Sequence, residues 1–385
     1  MTNTHKLTIC FTALNAYNVL SGRGDLSHTG GAEVQQLLIA KWLVGRGFPV
    51  SFITLDHGQT DGIEIDGIKV YKAYAPNDGI RGLRFIHPRW SGLWSAMSRA
   101  NSDVYYQRTA DCQTGQVGLW CRLHHKKFIF AAANESDCVS SLYALKNNRE
   151  KILYKIGLKY SNIVIAQTIT QQKLLRENMK VDSYIVPNCR NDSIEGLLDK
   201  ELSIEKSKAL RVLWIGRINE QKRFEWLLDI AEQCADITFD VVGAANVDSD
   251  YSNGLVQRAA KIPNVKMHGY VPYSEIGKYY QQCDILCCTS AYEGFPNTFL
   301  EAWAIGMPVV TTFDPDGVVS ANNLGWIAQD VEGIVKTLQR IIQSPEIWKK
   351  ASTSARQYYL ANHTPEVCLP KFEKLLIKLF EDKVN

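Results

Sequence analysis

The chain has 385 residues, of which 45% are hydrophobic and 22% charged, with 43 Lys/Arg against 40 Asp/Glu. At about 100–200 residues per domain, that length predicts two domains, each able to bury its own core. The balance excludes a disordered tail, a coiled coil and a disulfide-stapled miniprotein, and a net charge of +3 is too mild to argue for nucleic acid. The halves differ: residues 1–190 carry 23 Lys/Arg and 14 Asp/Glu, whereas residues 191–385 carry 20 and 26. A basic first half points to an anionic surface facing it.

In chain order, residues 7–13 predict a buried strand; the same stretch has a faint look of a signal peptide but is lightly charged and flanked by polar residues. A Gly/Ser-rich loop over 21–31 leads into a helix over 32–45, where Val34, Leu37, Leu38 and Trp42 recur at helical spacing. A strand over 50–55 and a hairpin or strand return over 61–71 follow. Further strands are predicted over 104–107, 127–132, 162–166 and 183–186, with helices such as 91–99 and 149–160 between them. Residues 187–208 are polar and form the best linker. A second series begins with a strand over 211–216 and a helix over 223–234. Strands over 238–243 and 265–269, a helix over 274–282, a strand over 285–289, a helix over 296–305 and a strand over 308–312 come next. Helices over 332–342, 345–362 and 365–382 close the chain.

Alternation of strand and helix predicts an α/β fold of two doubly wound, Rossmann-like domains facing across a cleft. The expected domains are 1–190 and 205–362, with the helix of 363–385 packing back toward the first. The longest apolar runs, such as residues 128–133, are far short of the ~20 residues that cross a bilayer. Ten cysteines are scattered with no Cys-x-x-Cys pair or zinc spacing, and Cys10, Cys287 and Cys288 lie in strand-like apolar runs. That usage predicts a reducing, cytoplasmic setting. No internal repeat, G-x-G-x-x-G or Walker sequence occurs, so a nicotinamide or P-loop reading lacks its fingerprint.

Three segments carry chemistry. In the first, Glu293 and Gly294 lie in a turn after a strand, and Pro296 is expected as the first helical residue, where its missing N–H is no loss. Asn297 and Thr298 then offer backbone N–H groups at a helix N-terminus, a ready anion site. Glu301 lies about 1.5 turns in, and helical side chains lean toward the N-terminus. Two carboxylates would thus flank an anion, each suited to vicinal hydroxyls. In the second segment, Arg217 and Lys222 follow the strand ending at Gly216 and can clamp a diphosphate. Solvated loop charges are the plainer reading of either cation alone. In the third, Gly30 and Gly31 precede a helix and let backbone approach a ligand, a weak signal because Gly pairs are common in turns.

Gly30-Gly31-Ala32-Glu33, Gly216-Arg217 with Lys222, and Glu293-x7-Glu301 together resemble the family 4 glycosyltransferases of the two-Rossmann (type B) fold, in the right order over nearly the whole chain. The Glu-Gly-Phe-Pro opening of the Glu-x7-Glu segment is the specific part. The resemblance implies a retaining enzyme, free of bound metal and cofactor, that moves a sugar from a nucleotide-diphosphate sugar to a glycan or lipid-linked acceptor, as in bacterial surface polysaccharide synthesis. It implies an acceptor-binding first domain and a donor-binding second one. Arg217 and Lys222 would neutralise the diphosphate, Glu301 would hold the ribose and Glu293 the transferred sugar, with Gly294, Phe295, Asn297 and Thr298 lining the helix start. Gly31 would reach the diphosphate, while Gly243, Ala244, His268 and Val271 would border base and ribose.

Three positions depart from the family pattern. Asn134 and Glu135 stand where members often carry a His, Arg223 stands where Gly usually follows the Lys, and Pro187-Asn188-Cys189 replaces Pro-Asn-Gly. The first departure keeps open a non-catalytic nucleotide-sugar-binding subunit, and the shared architecture keeps open a sugar-nucleotide epimerase using His28 or His268. Asp248/Asp250 and Asp314/Asp316 match Asp-x-Asp but read as acidic turns, so no metal site is expected. His124 and His125 read as a solvated turn. Arg81, Arg84, Arg89, Trp90 and Trp94, with Arg149, Lys151, Lys155 and Lys159 on a helical pattern, combine the basic and aromatic groups of a peripheral contact with an anionic membrane. The alternative is an ordinary domain with core tryptophans.

Overall fold

The computed structural model describes residues 6–22, 30–190, 210–245 and 249–381, in two compact units. One unit is Met1–Asn188 with Pro365–Asn385, and the other is Cys189–Thr364. His28, Asp248 and the linker over 191–208 lie outside the described residues.

The first unit carries β1 (Ile9–Thr12), β2 (Val50–Thr54), β3 (Ile63–Ile65), β4 (Ile68–Lys72), β5 (Val104–Arg108), β6 (Lys127–Ala131), β7 (Ile163–Ala166) and β8 (Tyr184–Ile185). They form one sheet in the order β3-β4-β2-β1-β5-β6-β7-β8, parallel except for the β3–β4 hairpin. Every residue of β1 is buried, as a strand covered on both faces requires. The last helix, Pro365–Glu381, belongs to this unit: Trp42 Nε1 donates to Glu373 Oε2 at 3.3 Å, and the Phe372 ring lies 5.7 Å from that of Tyr106.

Helices Cys112–Leu123 and Ile169–Leu174 of this unit, like the short helix Tyr17–Ser21, go beyond those named from the sequence. The first packs backbone to backbone on helix Asn148–Tyr160. A Cβ at Gly115 would fall 2.3 Å from the Leu153 carbonyl oxygen, and one at Gly157 would fall 2.4 Å from that of Thr114. Its glycines and Gln residues blur the apolar stripe that marks a helix in sequence.

The second unit carries β9 (Arg211–Ile215), β10 (Thr238–Val242), β11 (Val265–Gly269), β12 (Ile285–Cys288), β13 (Val309–Thr311) and β14 (Gly325–Ile327). Its sheet runs β11-β10-β9-β12-β13-β14, all parallel, which is the 3-2-1-4-5-6 order of a dinucleotide-binding fold. Successive residues of β9 serve opposite cores: Val212 and Trp214 join one buried cluster and Leu213 the other. The helix predicted over 274–282 begins only at Gly277, after a 3-10 turn over Tyr273–Glu275. In this order the chain winds one way from β9 and the other way from β12, so the crevice lies beyond their carboxyl ends.

The turns at that end are packed tightly. Gly216 N donates to Val242 O at 3.1 Å, and Gly243 N to Gly269 O at 2.9 Å. A Cβ on Gly243 would meet the Gly216 carbonyl oxygen at 1.9 Å. Gly243→Ala is therefore expected to destabilise this unit by about 1–3 kcal/mol through forced overpacking, measured by urea unfolding. A midpoint equal to that of the wild type would show that the turns yield without strain.

Candidate active site

The loop after β9 begins at Gly216. Asn219 caps a short 3-10 turn over Glu220–Lys222, its Oδ1 accepting from Lys222 N at 3.1 Å. Arg223 follows with φ 48°, in the left-handed region that favours glycine. The backbone conformation thus supplies the reason a Gly is common at that position. The Arg223 guanidinium rests over the Trp226 ring, 4.7 Å from its centroid.

The loop after β12 is laced to the first. Thr289 Oγ1 donates to the Lys222 carbonyl at 2.6 Å and accepts from Trp214 Nε1 at 3.1 Å. Ala291 N donates to Gln221 O at 2.8 Å, and Gln221 Nε2 donates to Tyr292 O at 2.9 Å. Across this seam the Lys222 ammonium pairs with the Glu293 carboxylate, 71 residues on. Glu293 is 7% exposed, so the pair stands in a partly dry setting where Coulomb attraction is only partly screened.

Pro296 is not the first helical residue. With ψ 124° it is the cap residue just outside, and the helix runs Asn297–Ala304. Phe299 N bonds to the Pro296 carbonyl at 3.1 Å, so the proline ring still fixes the entry of the chain. The first turn directs the Asn297 and Thr298 N–H groups out of a helix end with partial positive charge. Both residues are half-buried, and Gly294 and Phe295 before them are buried. Arg217 is exposed and bonds to none of the described residues.

Glu301 lies in the second turn of that helix, buried, with Oε1 2.9 Å from Arg190 Nη1 and Oε2 accepting from Tyr280 OH at 2.5 Å. His268, on β11, is half-buried, with Nε2 2.8 Å from Asp240 Oδ1 and its ring 4.6 Å from that of Tyr279. Asp240 also accepts from Arg211 Nε and Nη2 at 3.0 and 2.7 Å. Burial alone would raise this carboxyl, but the bonds from His268 and Arg211 hold it below the usual carboxylate range. Val271 is buried nearby in sequence.

Gly30, Gly31, Asn134 and Glu135 belong to the other unit. Gly30 caps helix Gly31–Gly45, and its N–H donates to Glu33 Oε2 at 3.0 Å, so Glu33 already supplies negative charge at that helix start. Asn134 precedes a 3-10 turn over Glu135–Asp137. Ala133 N and Asn134 N donate to Asp137 Oδ2 at 2.8 and 3.2 Å. Burial pushes the Asp137 carboxyl up, against those backbone bonds. Beside the same strand ends, Arg108 Nη2 donates to Asn188 Oδ1 at 2.7 Å, and Asn188 Nδ2 donates to Gln167 Oε1 at 2.8 Å.

Sequence reasoning missed Arg190, Tyr280, Arg211 and Asp240. Arg190 stands 111 positions from Glu301, and local spacing carries no trace of that pairing; the unusual Pro187-Asn188-Cys189 just before it was the only hint. Asp314, one of the Asp-x-Asp candidates, binds the first turn of helix Val318–Ala321, accepting from Val319 N at 2.8 Å and Ser320 Oγ at 2.7 Å. Among the described residues, no three His, Cys, Asp or Glu side chains converge as a metal site would need.

Lys222→Ala leaves the buried Glu293 charge without its partner, and Glu293→Gln removes that charge. We expect the double variant Lys222→Ala/Glu293→Gln to be less destabilised than the two single changes summed, by about 0.5–3 kcal/mol. Additivity in urea unfolding to within about 0.5 kcal/mol would show that the pair is not energetically coupled.

Residues 209–344 match the family model of the glycosyl transferases group 1. The amylovoran biosynthesis glycosyltransferase AmsD of Erwinia amylovora is 26% identical over 198 residues, 50% of this chain and 55% of that protein. The alpha-monoglucosyldiacylglycerol synthase of Acholeplasma laidlawii is 26% identical over 264 residues, 62% of this chain and 64% of that protein. The chain spans about half the length of the first curated relatives it matches. In fold it is similar to sucrose-phosphate synthase from Thermosynechococcus elongatus, with a TM-score of 0.80 at 18% identity over 98% of this chain and 100% of that one. The matched segment spans all six strands of the second unit, so this unit is similar to the glycosyl transferases group 1, and the chain as a whole is similar in fold to that synthase.

Proposed function

We propose that this protein is a retaining, metal-independent glycosyltransferase that moves a sugar from a nucleotide-diphosphate sugar to a glycan or lipid-linked acceptor in surface polysaccharide synthesis. The observation that carries the reading is the Lys222–Glu293 pair at the carboxyl ends of β9 and β12, beside the start of helix Asn297–Ala304. A cation and a helix N-terminus on one loop cluster favour a diphosphate, and a carboxylate next to them favours sugar hydroxyls.

In this reading the bond between the sugar anomeric carbon and the diphosphate oxygen breaks, and its electron pair goes to the diphosphate. Lys222, Arg217 and the N–H groups of Asn297 and Thr298 stabilise that growing charge, which is the main catalytic contribution. The acceptor hydroxyl attacks from the face the diphosphate leaves, and its proton passes to the departing phosphate oxygen. Glu293 orients the transferred sugar and Glu301 the ribose. Gly243, His268 and Val271 border the base and ribose. No step draws on a metal or cofactor.

The names of the two relatives support a polysaccharide or lipid acceptor. A surface feature supports a peripheral contact with anionic membrane at the cytoplasmic face. Ile80, Leu83 and Ile86 are 74%, 61% and 65% exposed, and Ile152 on helix Asn148–Tyr160 is 58% exposed. The exposed Arg81 and Arg84 lie among them, and the Arg149 guanidinium covers the Phe85 ring at 3.8 Å. Aliphatic side chains that enter a headgroup layer beside cations that meet its phosphates are the two elements such binding needs. Among the described residues no helix is long and apolar enough to cross a membrane.

Incubation with UDP-, ADP- and GDP-sugars tests the activity: slow hydrolysis of one donor is expected, and Lys222→Ala should lower its kcat/KM by about 10²–10³-fold. Conversion of a donor to its epimer, or no turnover of any, would refute transfer. Sedimentation with anionic vesicles tests the surface: binding at low salt should weaken as salt rises and in Leu83→Ser/Ile86→Ser. Absence of binding at low salt would refute the membrane contact.

A further inference from the structure

The surroundings of Glu301 carry an inference that rests on its role as the ribose-binding carboxylate and deepens it. Glu301 is 5% exposed, and among the described residues each of its oxygens has one protein partner. Oε1 faces Arg190 Nη1 at 2.9 Å, in an ion pair whose side chains are 8% and 6% exposed. The approach is close but off the hydrogen-bond axis. Oε2 accepts the Tyr280 hydroxyl at 2.5 Å.

Arg190 is itself held in place. Its N–H donates to the His363 carbonyl at 3.2 Å, its own carbonyl accepts from Tyr359 OH at 3.1 Å, and its guanidinium lies 5.8 Å from the centroid of the Tyr273 ring. Tyr280 is wholly buried, on helix Gly277–Gln282. Neither residue belongs to the Glu-x7-Glu segment.

A carboxylate this deep needs a counter-charge to stay ionised and bonds to stay oriented. Arg190 provides the first and Tyr280 the second. Each carboxylate oxygen has two acceptor sites. The Tyr280 bond leaves one site on Oε2, and the off-axis ion pair leaves Oε1 open to accept as well, so two vicinal hydroxyls can each find an oxygen. A bidentate guanidinium across both oxygens would have engaged the edge a diol uses.

We propose that Arg190 and Tyr280 are the positioning residues of Glu301, holding its carboxylate charged and turned so that it selects a ribose with both hydroxyls. The test is calorimetric titration of the full chain with UDP, ADP and GDP, followed by the 2′-deoxy analogue of whichever binds. The wild type is expected to prefer the ribonucleotide by at least about tenfold, the worth of one good bond to a charged group.

Arg190→Met should reduce that preference to within about twofold, weakening the ribonucleotide while the affinity for the deoxy analogue stays in place. Tyr280→Phe should lower it several-fold. A general loosening of the fold would weaken both nucleotides alike and leave their ratio unchanged. A preserved ratio in Arg190→Met therefore overturns the proposal, as does tighter ribonucleotide binding, which would make Arg190 a competitor of the ribose. If Arg190→Met does not fold, Tyr280→Phe decides by the same ratio. Failure of the underlying donor reading looks different, because the wild type itself would then bind none of the three diphosphates or not distinguish ribose from deoxyribose.

Discussion

The pairing of Lys222 with Glu293 is the contact that ties together the two loops of the second unit's candidate site. The 3-2-1-4-5-6 strand order sends the chain in opposite directions after β9 and β12, which opens a crevice at their ends. A crevice between two diverging loops is a site only if the loops are held to each other. Backbone and side-chain bonds through Thr289, Gln221 and Ala291 tie them together, and the ion pair spans the same seam. Gly243, lacking a Cβ, lets the turn after β10 touch the Gly216 carbonyl of the turn after β9. The cation is thereby fixed beside a helix start.

The same unit keeps its buried charges in small closed sets. Asp240 faces Arg211 and His268, Glu301 faces Arg190 and Tyr280, and Glu293 faces Lys222. Each carboxylate would be expensive to bury alone, by several kcal/mol in a dry interior. Paired, each keeps its charge and a fixed direction. In the proposed function, sugar and ribose hydroxyls meet carboxylates whose planes do not wander, so the sets that make burial tolerable would also make recognition selective.

The first unit is organised differently. Its sheet is wider and more basic in sequence, and its polar strand ends are joined by amides: Arg108, Asn188 and Gln167 bond in series. The close packing of helices Cys112–Leu123 and Asn148–Tyr160 through Gly115 and Gly157 leaves the outer face of the second helix to carry Ile152, Lys155 and Lys159. The stretch from Ile80 to Ile86 adds three more exposed aliphatic side chains among arginines. Apolar side chains left exposed to water beside cations fit the membrane contact proposed above.

Strand and helix alternation was legible from local pattern, because parallel strands buried on both faces read as short apolar runs. Strands at Ile9–Thr12 and Arg211–Ile215 and the turn before Asn297 follow directly. So did Glu293, Arg217 and Lys222, in loops at fixed offsets from those runs, and Glu301 in the helix that follows. Helix Cys112–Leu123 was not legible, since its glycines answer to a neighbouring helix rather than to a stripe. Pro296 showed the helix start but not on which side of it the ring falls. What only the tertiary structure decided is partnership: Lys222 with Glu293 across 71 residues, and Arg190 with Glu301 across 111. A residue's type and its local neighbours fix which secondary structure it joins. Which charge it meets depends on the order in which distant strands lie side by side, and that order is settled by packing of the whole sheet.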